Sequence, residues 1–185
     1  MKLNMTENEC NLFIAFITKA NSYVEFGSGG STVLASKHVQ DWIISIDSSK
    51  EWIEKVKNYC EKPIDFIYED IGPIENWGSP VDPSTKNRWS NYHTNTWNVI
   101  HSWDADLYFI DGRFRVACFA QIYAHCRLDA IIGFHDFTSR QKHYSIIKEI
   151  GREIASVEDL SFFVPIPNKM DKALNILKDY KDDYR

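Results

Sequence analysis

The chain has 185 residues, of which 44% are hydrophobic and 25% are charged, and its formal net charge is −5. This length is enough for a single domain, residues 1–185, with a hydrophobic core of its own. The negative charge and the lack of a Lys/Arg-rich stripe argue against nucleic acid as a partner.

The cysteines and the first residues bear on the cellular setting. Cys10, Cys60, Cys118 and Cys126 show no C-x-x-C spacing, so neither a zinc site nor a disulfide framework is expected. The N-terminal residues lack the apolar core of a signal peptide. No apolar run approaches the roughly 20 residues of a membrane span. We therefore expect a cytoplasmic protein with no membrane span.

Short apolar runs bounded by acidic or turn-forming residues predict five strands, and the C-terminal pattern predicts a closing hairpin. The strands are Ser22–Phe26, Trp42–Ile46, Ile64–Tyr68, Asp106–Ile110 and Asp129–Phe134, and the hairpin pairs Glu153–Glu158 with Phe162–Ile166.

Apolar residues at helical spacing predict helices between these strands. Thr6 and Glu9 resemble a capping box, which marks the start of a first helix. Because strands alternate with helices, we predict an α/β fold with a mostly parallel sheet. The further predicted helices are Ser31–His38, Lys50–Cys60, Asn95–Ser102, Val116–Cys126, Tyr144–Gly151 and a charged segment from Asp171.

The segment from Ile71 to about Tyr92 fits no regular element, since it is rich in glycine and proline and carries Trp77 and Trp89. Long loops in compact domains are usually functional or disordered. The tryptophans favour a lid or a wall of a substrate site, and a packed Ω-loop is the alternative.

The most informative motif is the stretch Gly27–Thr32, which follows the first predicted strand. Gly29 and Gly30 let the backbone turn sharply and approach a ligand closely. Asp47 ends the second strand, 20 residues after Gly27, where doubly wound folds place an acid on a ribose hydroxyl. This pattern predicts a site for an adenosine-type cofactor.

Two common phosphate-binding motifs are missing from the chain. The dinucleotide pattern G-x-G-x-x-G lacks its third glycine here, and no G-x-x-x-x-G-K-[ST] loop is present. Glu25, two residues before Gly27, can accept a hydrogen bond from an ammonium group. That favours the amino-acid end of S-adenosylmethionine (SAM) over a pyrophosphate. An ordinary ligand-free strand-turn-helix joint is the alternative.

Acidic residues also follow the later strands. Asp70 follows the third strand, Asp111 the fourth, and His135-Asp136 the fifth. Because ligands of open α/β sheets bind at the carboxyl ends of the strands, we expect these residues to line a site. Asp111 and Asp136 can share Mg²⁺, which takes oxygen ligands, and His135 can be a general base for a substrate hydroxyl. Alternatively, the acids cap the following helices and His135 packs under the loop.

The glycine motif and the endings of the fourth and fifth strands resemble the class I SAM-dependent methyltransferases, whose first motif is [DE]-x-G-x-G-x. The Asp-Gly and His-Asp endings resemble those of short sugar and small-molecule O-methyltransferases of the macrocin type. The resemblance implies a Rossmann-like three-layer αβα sandwich, with a mostly parallel seven-stranded sheet and one antiparallel strand near the C-terminus. The strings that resemble a subgroup with a D-G-R-[FH]-R motif are Tyr23–Ser31, Trp77-Gly78, Asp111–Cys118 and His135–Tyr144.

The resemblance also implies roles for residues around the glycine motif. Glu25 is expected to bind the methionyl ammonium, Asp47 the ribose hydroxyls and Asp70 the adenine amino group. Ile71 or Trp52 is expected to lie against the adenine ring. The full set of expected cofactor-binding residues is Glu25, Gly27, Ser28, Gly29, Gly30, Ser31, Thr32, Asp47, Ser48, Trp52, Asp70, Ile71 and Asp111.

The implied reaction is methyl transfer from SAM to a hydroxyl of a sugar or glycan, for example a 6-deoxyhexose such as rhamnose. Asp111, His135 and Asp136 are expected to be catalytic, with Asp111 and Asp136 as candidate Mg²⁺ ligands. We expect the enzyme to work beside glycan-building enzymes, or as one domain of such an enzyme. The candidate substrate-binding residues are Trp77, Trp89, Tyr92, Arg113, Arg115 and Tyr144.

Arg113 and Arg115 depart from the macrocin-type pattern, which carries acidic residues or histidine at these places. The two arginines can bind an anionic substrate group such as a phosphate or nucleotide. Ion pairs with Asp104, Asp106 or Asp136 are the alternative for both residues.

Three other functions stay open from the sequence. One is methyl transfer to another small hydroxylated or nitrogenous acceptor. Another is a nicotinamide-dependent oxidoreductase, although the missing third glycine counts against it. The last is a non-catalytic SAM-binding module, against which the presence of Asp111 and His135 argues.

Overall fold

Seven strands form one sheet in the computed structural model, which describes the backbone of residues 1–185 and every side chain except that of Ile100. The strands are β1 Ser22–Phe26, β2 Trp42–Asp47, β3 Asp65–Tyr68, β4 Leu107–Ile110, β5 Ile131–Phe134, β6 Gly151–Val157 and β7 Leu160–Pro165. Their order is β3-β2-β1-β4-β5-β7-β6. β7 is antiparallel to both of its neighbours, β5 and β6, and the other pairs are parallel. The predicted sheet, including its antiparallel strand, is confirmed.

Helices flank the sheet on both faces. The four longest have nine to eleven residues each, and short 3₁₀ turns fill parts of the connections. None of the described helices combines the length and the apolar character that crossing a membrane requires. The helices are α1 Glu7–Ile17, α2 Gly30–His38, α3 Lys50–Lys57, α4 Lys86–Trp89, α5 Asn91–Thr94, α6 Arg115–His125, α7 Gln141–Tyr144 and α8 Met170–Tyr180.

Two apolar clusters form the core, one on each face of the sheet. Successive side chains of a strand point to opposite faces, so in β1 Tyr23 joins one cluster while Val24 and Phe26 join the other. Phe13 of α1 packs in the first cluster and Phe119 of α6 in the second. Because helices cover both faces, β1 and β4 are buried along their whole length, and the chain forms three layers.

Three predicted elements differ from the structure. The long loop contains α4, α5 and two 3₁₀ turns, Asn76–Gly78 and Pro83–Thr85. The helix predicted over Asn95–Ser102 is a pair of 3₁₀ turns. The helix predicted from Tyr144 to Gly151 is wrong at its end, because a 3₁₀ turn closes at Glu149 and Gly151 already pairs with Pro165 in the sheet.

The parallel pairing brings the predicted site residues to one edge of the sheet. Phe26 at the end of β1 is in register with Ile46 of β2 and Ile110 of β4. Ile110 in turn is in register with Phe134 of β5. The residues that follow these positions therefore lie at neighbouring strand ends, which is where open α/β sheets bind ligands.

Candidate active site

The turn after β1 is built on close contact between two backbones. Gly27 has a φ of 105°, and a Cβ there would lie 2.5 Å from the backbone nitrogen of Gly112. Only glycine fits such a contact at a positive φ. Gly29 differs, since a Cβ there would meet no atom within 4 Å. The turn therefore presents open backbone at Gly29 and is braced from below by the end of β4.

Glu25 is fully buried beneath this turn. Its carboxylate accepts hydrogen bonds from the hydroxyls of Ser31 and Thr32, and from those of Ser45 and Tyr23 at 3.2 Å each. Burial raises the pKa of Glu25 to about 7, although the hydroxyl donors act in the opposite direction. Four hydroxyls fill the accepting positions of one carboxylate, so the arrangement favours Glu25 as a support for the turn over contact with a ligand ammonium.

Asp47 lies beside the glycine turn at the end of β2. Its carboxylate accepts from the backbone N–H groups of Ser28 at 3.0 Å and Ser49 at 2.9 Å. Burial raises the pKa of Asp47 to about 6, and these backbone donors oppose that rise. Trp52 joins the same group, because its indole N–H donates to the Ser28 carbonyl at 2.7 Å. An acid held next to open glycine backbone fits the predicted ribose site. Ser48, the next residue, is buried.

Asp70 and Ile71 follow β3 but occupy different environments. Asp70 is exposed and pairs with Arg88 at 2.7 Å, while the Ile71 side chain is fully buried in the core. The Thr85 hydroxyl donates to the Ile71 carbonyl at 2.9 Å. Asp70 is thus accessible to an adenine amino group, whereas Ile71 faces away from solvent. Both roles stay predictions.

Asp111 and His135 form a hydrogen-bonded pair at the ends of β4 and β5. The His135 Nδ1 atom lies 3.1 Å from Oδ1 of Asp111 and 3.7 Å from Oδ1 of Asp136. Loss of solvation lowers the pKa of His135, but the hydrogen bond and charge of Asp111 outweigh it and raise the pKa above its ordinary value. For Asp111 loss of solvation acts to raise the pKa, and the partners His135 and Arg115 bring it below its ordinary value. The pair therefore has a charged acid orienting an imidazole.

Arg115 clamps the two strand ends together. The residue is buried, and each of its three guanidinium nitrogens donates to backbone: Nε to the Gly112 carbonyl at 2.9 Å, Nη1 to that of His135 at 2.5 Å, and Nη2 to that of Asp111 at 3.1 Å. Nη2 also lies 3.0 Å from the Asp136 carboxylate. Arg115 therefore forms the ion pair with Asp136 that was the alternative to binding a substrate anion. All three of its guanidinium nitrogens already donate hydrogen bonds within the protein.

The predicted Mg²⁺ ligands come together, but with cations already beside them. Ligand atoms of Asp111, His135 and Asp136 lie within 4.8 Å of one another. However, Arg115 Nη2 lies 3.3 Å from the Asp111 carboxylate, and Arg140 lies 3.4 Å from that of Asp136. Two guanidinium groups neutralise the two carboxylates and repel a further cation. The residues as arranged do not fit a divalent ion.

The predicted substrate-binding aromatics fall into two groups. Trp89, Tyr92 and Tyr144 are 6%, 1% and 1% exposed and belong to the core. Trp77 is 80% exposed and has a φ of 63°, at the tip of a short hairpin. The structure therefore leaves Trp77 accessible and places the other three inside the protein, because Trp89 and Tyr92 pack against Phe114 and Tyr144 packs against Phe134.

Arg113 lies under the hairpin that carries Trp77. Its Nη1 is 3.4 Å from the Ser79 hydroxyl, and its Nε is buried with no hydrogen-bond partner. A Cβ on Gly78 would lie 3.0 Å from the Ser48 hydroxyl. The hairpin thus spans from the end of β2 to the end of β4 and covers Arg113, whose role with an anionic substrate stays a prediction.

One site residue was missed by sequence reasoning. Glu9 of α1 is buried, and its Oε2 lies 3.6 Å from Nε2 of His135. The sequence presents Glu9 as half of a capping box, which the structure confirms with Thr6. The available signal was position: Glu9 precedes Phe13 by four residues and so lies on the apolar face of the helix. An acid on such a face needs a polar partner.

Comparisons with solved structures find proteins that share the fold of this chain. A methyltransferase-like protein from Silicibacter pomeroyi DSS-3 has a TM-score of 0.86 at 25% identity, covering 98% of this chain and 97% of its own. The N-methyltransferase NodS from Bradyrhizobium japonicum WM9, in complex with S-adenosyl-L-homocysteine, has a TM-score of 0.55 at 12% identity, covering 86% of both chains. The tRNA (m1A58) methyltransferase TrmI from Aquifex aeolicus has a TM-score of 0.56 at 13% identity, covering 90% of this chain and 72% of its own.

No protein-family model matches the chain, and no curated protein matches it. The strand order and these structural matches give the chain the fold of the class I SAM-dependent methyltransferases. These matches do not assign the chain to the macrocin-type subgroup.

Proposed function

We propose that the chain is a SAM-dependent O-methyltransferase that modifies a hydroxyl of a sugar or glycan, such as a 6-deoxyhexose. The observation that carries the proposal is the Asp111–His135 pair, which lies at the strand end that braces the glycine turn. A base at this place, next to a cofactor cradle in this fold, suits removal of a proton from an acceptor hydroxyl.

The residues around the glycine turn fit a SAM molecule. The open backbone at Gly29 and the carboxylate of Asp47 would hold it, with Asp70 at the adenine end. SAM supplies an activated methyl group, so the protein has to align the two partners and accept a proton. Alignment alone contributes roughly 7–11 kcal/mol in favourable cases. Since Glu25 is saturated by hydroxyls, its part is to hold the first turn of α2 in place.

The His135 imidazole is the base in this proposal. Asp111 accepts the hydrogen on Nδ1 and so leaves Nε2 as the basic nitrogen. Tautomers of this kind are fixed by the partner of the other ring nitrogen. Asp136 holds Arg115 and Arg140 and stabilises the strand end, while no step is assigned to Mg²⁺.

A sugar acceptor is supported by the resemblance of the strand endings to sugar O-methyltransferases and by the exposed ring of Trp77, which can stack on a sugar face. Transfer to another small hydroxylated or nitrogenous acceptor is the second candidate. We further propose that the chain is a single domain that works in the cytoplasm beside glycan-building enzymes. It has no nucleic-acid partner in this proposal.

The test is a transfer assay with SAM and a panel of methyl glycosides and small amines, read by mass spectrometry. A glycoside product that carries one added methyl group, and that forms only when SAM is present, supports the proposal. Methylation of amines but not of hydroxyls would replace it with the second candidate. Binding of NAD⁺ in place of S-adenosylhomocysteine would overturn both.

A further inference from the structure

A cleft of about 370 Å³ opens on the side of His135 that faces away from Asp111. Its outer wall is the coil segment 2–6, which precedes α1, and the turn residues Glu158 and Asp159 between β6 and β7. Its inner end is formed by Glu9 and His135. The cleft therefore ends beside the proposed base.

The imidazole nitrogen on this side lacks a partner. The His135 side chain is 7% exposed, and its Nε2 is buried without a hydrogen bond. The nearest acid oxygen, Oε2 of Glu9, is 3.6 Å away, which is too far for a hydrogen bond. Buried polar atoms in proteins are nearly always paired. An unpaired Nε2 at the inner end of a cleft therefore points to a ligand that supplies the partner.

Glu9 is held rigidly at the same inner end. Its Oε1 accepts from the backbone N–H of Asp159 at 2.9 Å, and its Oε2 accepts from that of Thr6 at 2.8 Å. A carboxylate oxygen can accept a second hydrogen bond. Oε2 of Glu9 thus offers a fixed, partly used acceptor next to the Nε2 lone pair.

The spacing of these two acceptors favours two neighbouring donor atoms over a single one. A single donor atom about 2.8 Å from both would see them at an angle of about 80°, since they are 3.6 Å apart. That angle is narrower than the tetrahedral angle between the hydrogens of an ammonium group. Two adjacent donor atoms, lying side by side like the oxygens of a vicinal diol, can each face one acceptor.

The cleft also borders the glycine turn. A Cβ on Gly30 would lie 2.7 Å from the Cα of Leu3, and Leu3 lines the cleft. The segment 2–6 therefore contacts both the glycine turn and the cleft. Because Nε2 is closed to solvent, an acceptor that displaces this segment reaches Nε2 and lies next to the glycine turn.

We propose that this cleft binds the methyl acceptor as a vicinal diol, with one hydroxyl donating to Nε2 of His135 and its neighbour to Oε2 of Glu9. This inference rests on the proposed function and assigns Glu9 as an acceptor-binding residue. In the reaction the methyl carbon leaves sulfur and bonds to the first oxygen, whose proton passes to Nε2, and S-adenosylhomocysteine is released.

The experiment follows the ring nitrogens of His135 by NMR in the full chain with labelled histidine and saturating S-adenosylhomocysteine. The probes are methyl glycosides of rhamnose, fucose and mannose, each with a counterpart that lacks one hydroxyl of the vicinal pair. We expect a diol glycoside to shift Nε2. The counterpart that lacks the hydroxyl facing Glu9 should bind about tenfold more weakly, because its hydrogen bond to the charged carboxylate is lost.

The variant Glu9→Gln tests the second contact, because an amide that keeps its oxygen on the Asp159 backbone N–H presents an NH₂ donor in place of the Oε2 acceptor and gives up the capping bond from Thr6. It should bind the diol about tenfold more weakly than wild type and no longer distinguish it from the deoxy counterpart. A structural role for Glu9 would weaken both ligands equally. Glu7→Gln, an exposed change in the same helical turn, is the matched control and should behave as wild type.

The outcomes separate the two proposals. If S-adenosylhomocysteine does not bind, the proposed function fails. If it binds but no glycoside moves the Nε2 resonance, or diol and deoxy forms bind equally, only the acceptor cleft is wrong. Retention of diol discrimination by Glu9→Gln would likewise remove Glu9 from the site.

Discussion

The end of β1 and the ends of β4 and β5 carry acids, but the partners of those acids differ. Glu25 accepts hydrogen bonds from four hydroxyls, and burial raises its pKa to about 7. Asp111 meets His135 and Arg115, which bring its pKa below its ordinary value despite the loss of solvation. The end of β1 therefore holds an acid, Glu25, that is partly protonated and so partly uncharged near pH 7; we call it the neutral end. The ends of β4 and β5 hold a charged acid, Asp111, that can orient an imidazole; we call them the charged end.

This difference shows that the position of an acid at a strand end does not by itself predict its function, because its charge must also be known. The sequence shows the acids after successive strands, but their charge depends on residues brought in from elsewhere. Arg115 from α6 reaches both Asp111 and Asp136, whereas the first turn of α2 offers Glu25 only hydroxyls. The neutral end suits support of a turn, and the charged end suits chemistry.

The largest expected effect is at the charged end. His135→Gln removes the proposed base, so the rate of methyl transfer should fall by roughly 10²–10⁴-fold. Affinity for S-adenosylhomocysteine, measured by calorimetry, should stay unchanged because the charged partners of His135 are Glu9, Asp111 and Asp136 and not Asp47. The exposed His143→Gln is the matched control. Full activity in His135→Gln would mean that the base lies elsewhere.

Removal of the clamp tests the charges that hold this end together. Arg115→Gln leaves the Asp111 and Asp136 carboxylates without their shared cation, which should lower the free energy of unfolding by about 3 kcal/mol. Arg127→Gln breaks an exposed pair with Asp106 and should cost less than about 1 kcal/mol. Urea denaturation of both variants gives the comparison, and equal costs would contradict the role of Arg115.

Glu25, at the neutral end, should make the free energy of unfolding depend on pH. The pKa of Glu25 is about 7 when folded and 4.5 in its ordinary state, so the folded protein binds the extra proton between these values. Its contribution to stability is complete below pH 4.5 and is lost as the pH rises through 7. The loss amounts to at most about 3 kcal/mol.

Glu25→Gln should remove this part of the pH dependence. The difference in unfolding free energy between wild type and variant, measured by denaturation from pH 5 to pH 8, should therefore fall as the pH rises. Glu54→Gln, an exposed change, provides the control. A difference that stays flat would show that Glu25 is not held near neutrality.

The smallest effect is expected from metal removal. Because Arg115 and Arg140 already neutralise the carboxylates of Asp111 and Asp136, a chelator should leave the transfer rate unchanged. The measurement is the initial rate before and after treatment with EDTA, with and without added Mg²⁺. A chelator-sensitive rate that Mg²⁺ restores would show that the cation displaces the arginines.

The fold was largely predictable because its signals are local. Continuous apolar runs give the five parallel strands, and alternation of strands with helices gives the layers. The helix prediction for Asn95–Ser102 failed because two tryptophans, one within the segment and one just after it, satisfy backbone groups in tight turns: the Trp97 indole donates to the His93 carbonyl, and that of Trp103 donates to the Trp97 carbonyl. Such contacts stabilise 3₁₀ turns that helical spacing does not reveal.

The site was predictable only where topology alone fixes it. Gly27, Asp47, Asp111 and His135 all follow strands, so the order of the sheet brings them to one edge. Glu9 lies in a helix far along the chain from His135, and no pattern links the two. The burial of Trp89 and Tyr92 likewise depends on packing against Phe114, which follows β4.

The central claim is that the glycine turn and Asp47 bind SAM, and calorimetry tests it most directly. Wild type should bind S-adenosylhomocysteine and not NAD⁺, and Asp47→Asn should bind it at least about tenfold more weakly, since a hydrogen bond to a charged group is lost. Asp41→Asn, an exposed change before β2, should bind as wild type. Binding of NAD⁺ by wild type, or undiminished affinity in Asp47→Asn, would contradict the account.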